Sequence, residues 1–190
     1  MKRFLVLLIL IALLVPASGL AEYSPDLGMT MNEFIQKYNA HGSSLSSPLI
    51  ALKIPSYWDK VDGANVAFFT VTNGTDVYIG LSSYDPGKTR DLSGGLDYLL
   101  VGCQNPKEFL AFVTVGIKCT EVFAEDFYTG YSMAPYYVSS VMKYYYENRS
   151  SDENYVAFQP IDSVSNRNLI FTSANGNYMF GIGVEGGNMQ

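Results

Sequence analysis

One histidine, one tryptophan and two cysteines among 190 residues leave little material for the commonest catalytic and metal chemistries. A Ser-His-Asp or Cys-His arrangement would have to use His41 as its base. That residue sits beside Gly42-Ser43-Ser44, and no nucleophile-elbow pattern occurs, so it reads as a polar loop histidine. A lone histidine and two distant cysteines match none of the usual zinc spacings, and the acidic residues form no calcium-loop pattern. No metal or cofactor is expected. Positive charge is also scarce, with 12 Lys and Arg against 18 Asp and Glu, a net charge of −6 and no basic cluster. Phosphate backbones demand cationic contacts, so nucleic acid is not an expected partner.

Apolar runs are short. The longest, Phe4 to Val15, has twelve residues, whereas a bilayer-spanning helix needs roughly 20. Lys2 and Arg3 precede it, and Gly19 and Ala21 supply the small residues expected before a cut. This is the three-part layout of a secretory signal peptide over 1–21, with a cut after Gly19 as the alternative to one after Ala21. The expected product is a secreted or extracytoplasmic chain without a permanent membrane anchor. Loss of Lys2 and Arg3 takes the net charge from −6 to −8. The remaining 22–190 is long enough for one domain with a real core.

Cys103 and Cys119 would form a disulfide in an oxidising compartment if geometry allowed. A continuous helix between them would hold them about 24 Å apart, beyond the roughly 7 Å limit on Cα separation. Either the helix breaks near Gly116 or both thiols stay free.

Thr30-Met31-Asn32-Glu33 is a capping box, and Met31, Phe34, Ile35 and Tyr38 follow at helical spacing, with Gly42 as a stop. Asn105-Pro106-Lys107-Glu108 starts a second helix that extends toward Glu125, and a third begins near Pro135, carrying Val138, Val141, Met142 and Tyr145 inward. Extended segments are expected at 48–54, 66–71, 77–81, 96–101, 155–158, 169–172 and 178–184. Asn73-Gly74 and Asn175-Gly176 supply hairpin turns. Hairpins with helices before and between them define an α+β domain in which an antiparallel sheet packs against helices. The match of Val77–Leu81 to Tyr178–Ile182, each after Asn-Gly, suggests a duplicated helix-plus-strands unit with halves 22–102 and 103–190.

The glycine pattern Gly181-Ile182-Gly183-Val184-Glu185-Gly186 resembles a dinucleotide fingerprint, but no helix can follow it before Gln190, so it reads as a glycine-rich strand end. In that strand Met179, Gly181 and Gly183 share one face, which a helix backbone would cover or a flat ligand would occupy. Glu121, Glu125 and Asp126 fall at helical spacing, and Asp152 and Glu153 sit in a loop. Paired carboxylates of this kind would be the machinery of an extracellular glycan or peptide hydrolase.

Aromatics are the richest feature, with 15 tyrosines. Tyr128, Tyr131, Tyr136, Tyr137, Tyr144, Tyr145 and Tyr146 are too many for one helix to bury, so some reach the surface or line a groove. Tyrosine is enriched at interfaces because its ring supplies contact area and its hydroxyl a polar handle. Tyr136, Tyr137, Tyr144, Tyr145 and Tyr146 are therefore the candidate binding residues, for a protein, peptide or glycan.

The segment Leu27-Gly28-Met29-Thr30-Met31-Asn32-Glu33-Phe34-Ile35-Gln36-Lys37-Tyr38-Asn39 resembles the opening of small exported bacterial domains of uncharacterised function. The doubled helix-plus-strands layout resembles the β-lactamase inhibitor protein family, which implies inhibition of a secreted enzyme. Neither resemblance assigns a binding residue. The leading expectation is a secreted or cell-surface-associated binding module without catalytic activity, and the rivals are a hydrolase and an enzyme inhibitor.

Overall fold

The computed structural model describes residues 27–40, 51–61, 63–71, 76–84, 90–124, 132–149, 155–162 and 167–184. The expected signal peptide, 1–21, His41, Asn73-Gly74, Glu125, Asp126, Asp152 and Glu153 lie outside them.

Helix α1 spans Met31–Ala40. Its start is the capping box: the Thr30 amide donates to the Glu33 carboxylate at 2.7 Å, and the Glu33 amide donates to Thr30 Oγ1 at 3.2 Å. These bonds hold the Glu33 carboxyl below its ordinary pKa, the backbone donor first. Strands β1 (Tyr57–Val61), β2 (Ala64–Thr70), β3 (Val77–Ser83) and β4 (Tyr98–Cys103) follow. Asn105 then caps a 3₁₀ turn, Pro106–Glu108, which feeds α2, Phe109–Phe123. Helix α3 spans Ala134–Asn148, and β5 (Ala157–Asp162), β6 (Arg167–Ala174) and β7 (Asn177–Val184) end the described fold.

All seven strands form one antiparallel sheet in the order β1-β2-β3-β4-β7-β6-β5. The fold is α+β, with the antiparallel sheet packed against three helices, as its hairpin signals imply. Asn175 and Gly176, at φ 52° and 77°, link β6 to β7. Their positive angles suit a two-residue turn whose twist matches the flanking strands.

The segment at 51–54 does not pair as a strand. The Asn39 side chain binds its backbone instead, donating to Leu52 O at 2.7 Å and accepting from Leu52 N at 2.8 Å. The first strand lies later, at β1, where Asp59 and Lys60 obscure the apolar alternation. Residues 27–32 run against 92–96 through four main-chain bonds, including Met31 N to Gly94 O at 3.1 Å. The Asn-Gly match equates β3 with β7, two strands that both flank β4 and run parallel to each other.

The principal core lies between the helices and one sheet face, where Phe34, Phe69, Phe112, Phe123, Phe171 and Phe180 are buried. Gly116 does not break α2. It lets the helix approach the sheet: a Cβ there would lie 2.6 Å from the Phe180 ring. Phe112 stacks on the same ring, with centroids 4.4 Å apart. With α2 continuous, Cys103 and Cys119 are both buried and unbonded. Burial pushes both thiols up, Cys119 more strongly.

A second cluster occupies the opposite face, where Val61, Val66, Phe68, Leu100 and Met179 pack with Tyr78 and Tyr98. The glycines of β7 are covered here neither by a helix nor by an open slot for a ligand. The Tyr98 ring of β4 lies over them: a Cβ on Gly181 would collide with its hydroxyl, and one on Gly183 would lie 2.9 Å from its ring. Gly102 lies under Tyr78 in the same way.

Candidate functional site

Helix α3 carries the five tyrosines singled out by the sequence, and the structure separates them. Ala134, Val138, Val141 and Tyr145 form its buried stripe. Tyr145 is 2% exposed, and its hydroxyl donates to Ser173 O at 2.7 Å. Its ring meets Phe171 edge to face at 5.0 Å. It belongs to the core and is corrected from the binding set, because the register that buries Val138 and Val141 buries it too. Tyr137 is half-buried against the same core, with its ring 5.9 Å from Tyr136.

Tyr136, Tyr144 and Tyr146 point outward, at 59%, 51% and 42% exposure. They do not make one patch. Tyr136 and Tyr144 are eight residues apart, about 12 Å along the axis and roughly 80° around it, whereas Tyr146 lies about 160° from Tyr144. Between the first two, Ser140 donates to Gln159 of the edge strand β5 at 3.0 Å. Nearby, the Tyr155 hydroxyl is raised by desolvation and then by its interaction with Tyr144. Tyr136, Ser140, Tyr144, Tyr155 and Gln159 thus form a strip along the seam between α3 and β5.

Tyr146 faces the other way, toward Phe171 and Tyr178. The Arg149 guanidinium lies 4.8 Å from its ring centroid. Desolvation raises the Tyr146 hydroxyl, Tyr178 adds to this, and Arg149 opposes it. Sequence reading missed Arg149 and Tyr155. The first was visible as a cation three residues after Tyr146, the spacing that brings helical side chains together. The second depends on a contact between distant segments that no local pattern encodes.

The strip offers flat rings, phenol hydroxyls and an amide. The nearby charges on α3, Lys143 and Glu147, pair with each other at 3.7 Å. Glu121 is buried on α2 near Lys118, away from this strip. The Lys118 ammonium lies 4.1 Å from the Tyr38 ring centroid, and desolvation lowers its pKa. Among the described residues, no three His, Cys, Asp or Glu side chains converge to hold a metal ion. No described helix is long and apolar enough to cross a membrane.

No family model, curated protein or solved structure matches the chain.

Proposed function

We propose that the protein is an exported binding module, secreted or held at the cell surface, that recognises a protein, peptide or envelope polymer through the α3–β5 strip. The observation that carries this reading is the outward placement of Tyr136 and Tyr144 on one side of a helix whose opposite stripe is core. Large rings held on a rigid helix supply contact area at low entropic cost. Ser140, Gln159 and the phenol hydroxyls add hydrogen-bonding partners for a polar ligand.

The test compares the exported chain with its Tyr136→Ala/Tyr144→Ala variant. Each is immobilised and challenged with culture supernatant and with solubilised envelope from the producing cells. Both rings are mostly exposed, so the variant should keep its Tm within about 2 °C, consistent with the small effects of surface substitutions. A species retained by the parent and lost from the variant supports the reading. Equal retention by both would remove the strip from the binding function.

A further inference from the structure

The outward side of α3 carries its strip on a single helical row. Tyr136, Ser140 and Tyr144 stand at i, i+4 and i+8, so a ring, a hydroxyl and a second ring follow one another at steps of about 6 Å along the axis. Both rings are mostly exposed in the 190-residue chain, at 59% and 51%. Tyr136 is not a free ring, because half-buried Tyr137 meets it edge to face with centroids 5.9 Å apart. The middle step has a direction of its own. Ser140 Oγ donates to Gln159 Oε1 at 3.0 Å, and Gln159 Nε2 donates to Pro160 O at 3.0 Å. Each group is thereby half used: the serine oxygen keeps lone pairs that can accept, and the amide nitrogen keeps a second N–H that can donate. An acceptor and a donor fixed side by side suit a ligand hydroxyl, which both donates and accepts.

Charge narrows the choice of ligand. Lys143 and Glu147, which flank the row on α3, pair with each other at 3.7 Å, and the row itself is uncharged. The chain as a whole is acidic, at −6, and repels polyanions. A protein interface is built on an apolar core depleted of charge, whereas here two rings are separated by a polar step and bordered by an ion pair. We propose that the row binds a linear, uncharged polysaccharide, with one sugar unit stacked on each tyrosine and the chain between them hydrogen-bonded by Ser140 and Gln159. The proposal rests on the binding reading of the α3–β5 strip and names its ligand class. The C–H face of a pyranose ring carries partial positive charge and lies against the negative face of a phenol ring, while the hydroxyls at its rim reach polar side chains. A chain of such units repeats both kinds of contact at a step close to that of the row.

The test is electrophoresis of the purified chain in native gels that contain envelope polysaccharide from the producing cells, freed of protein by protease and separated by anion exchange into neutral and acidic fractions. The neutral fraction should retard the chain. Tyr136→Ala and Tyr144→Ala should each raise the polysaccharide concentration needed for half retardation about fivefold, the scale of a single aromatic contact. Tyr136→Phe, which keeps the ring, should leave it within about twofold. Retardation by the acidic fraction alone overturns the proposal, and so does equal retardation of the parent and the Ala variants. Absence of retardation by either fraction also overturns it, and the immobilised chain then separates the two readings. If a protease-sensitive species is retained by the parent and lost from Tyr136→Ala/Tyr144→Ala, the strip stands and its partner is a protein; if nothing is retained, the binding reading falls with the proposal.

Discussion

Strands β4, β6 and β7 present Leu99, Phe171, Phe180 and Ile182 to the helices, and Leu100, Thr172, Met179 and Gly181 to the other side. The two faces are filled by different means. On the helix side, large rings interdigitate with α2 and α3, and the close approach comes from a helix glycine, Gly116. On the other side the glycines are in the strands, and the rings of Tyr78 and Tyr98 fold down onto them. The first arrangement joins layers that are distant in sequence. The second joins neighbouring strands of one layer, so it stiffens the sheet without tying it to the helices.

Substitutions on the two faces should therefore differ in size. Phe180→Ala, which empties the space between Phe112, Phe171 and Gly116, should cost about 3–5 kcal/mol, the usual range for a buried ring. A urea midpoint shift worth less than about 1 kcal/mol would show that the helix layer does not rest on this residue. Gly181→Ala should cost about 1–3 kcal/mol, because the added methyl meets the Tyr98 hydroxyl. Removal of that hydroxyl by Tyr98→Phe should relieve much of the cost, with a coupling of about 0.5–3 kcal/mol between the two changes. Strict additivity in the double-mutant cycle would contradict the ring-over-glycine packing. Desolvation holds the Tyr98 hydroxyl well above its ordinary pKa, in keeping with a phenol sealed against the strand.

Much of this architecture was readable in the sequence. The capping box at Thr30, the two-residue turn at Asn175-Gly176 and the apolar stripe Val138, Val141, Tyr145 are local patterns, and local physics decides them. What escaped is non-local. The residues at 51–54 resemble a strand, but a side-chain amide from α1 takes their backbone bonds. Gly116 has low helix propensity, yet packing on Phe180 keeps α2 intact, a case of tertiary contact overriding local preference. Tyr145 counts among exposed tyrosines by composition and among core residues by register. The face glycines gave the pattern of a vacancy, and the tyrosine that fills it comes from the neighbouring strand β4.

Two smaller effects sharpen the contrast at the edge of the helix layer. Asn39→Ala should cost about 1–3 kcal/mol by leaving the Leu52 backbone without either bond, and amide exchange at Leu52 should rise accordingly. Unchanged protection would mean that residues 51–54 hold themselves. The smallest effect is that of Glu33. Its carboxyl lies lower in the folded chain than its ordinary value of 4.5, so its contribution is present above that value and is lost as pH falls through the folded pKa. Between Glu33→Gln and the parent, the stability difference should shrink on acidification below about pH 4.5; a difference that grew would reverse the assigned direction.

The most direct test of the account is tyrosine nitration of the purified chain, mapped by peptide mass. It asks whether α3 turns Tyr136 and Tyr144 outward while it buries Tyr145. The account predicts rapid modification of Tyr136 and Tyr144, slower modification of Tyr146 beside Arg149, and protection of Tyr38, Tyr98 and Tyr145. Early nitration of Tyr145, or protection of Tyr136 and Tyr144 in the isolated protein, would contradict both the register of α3 and the binding strip built on it.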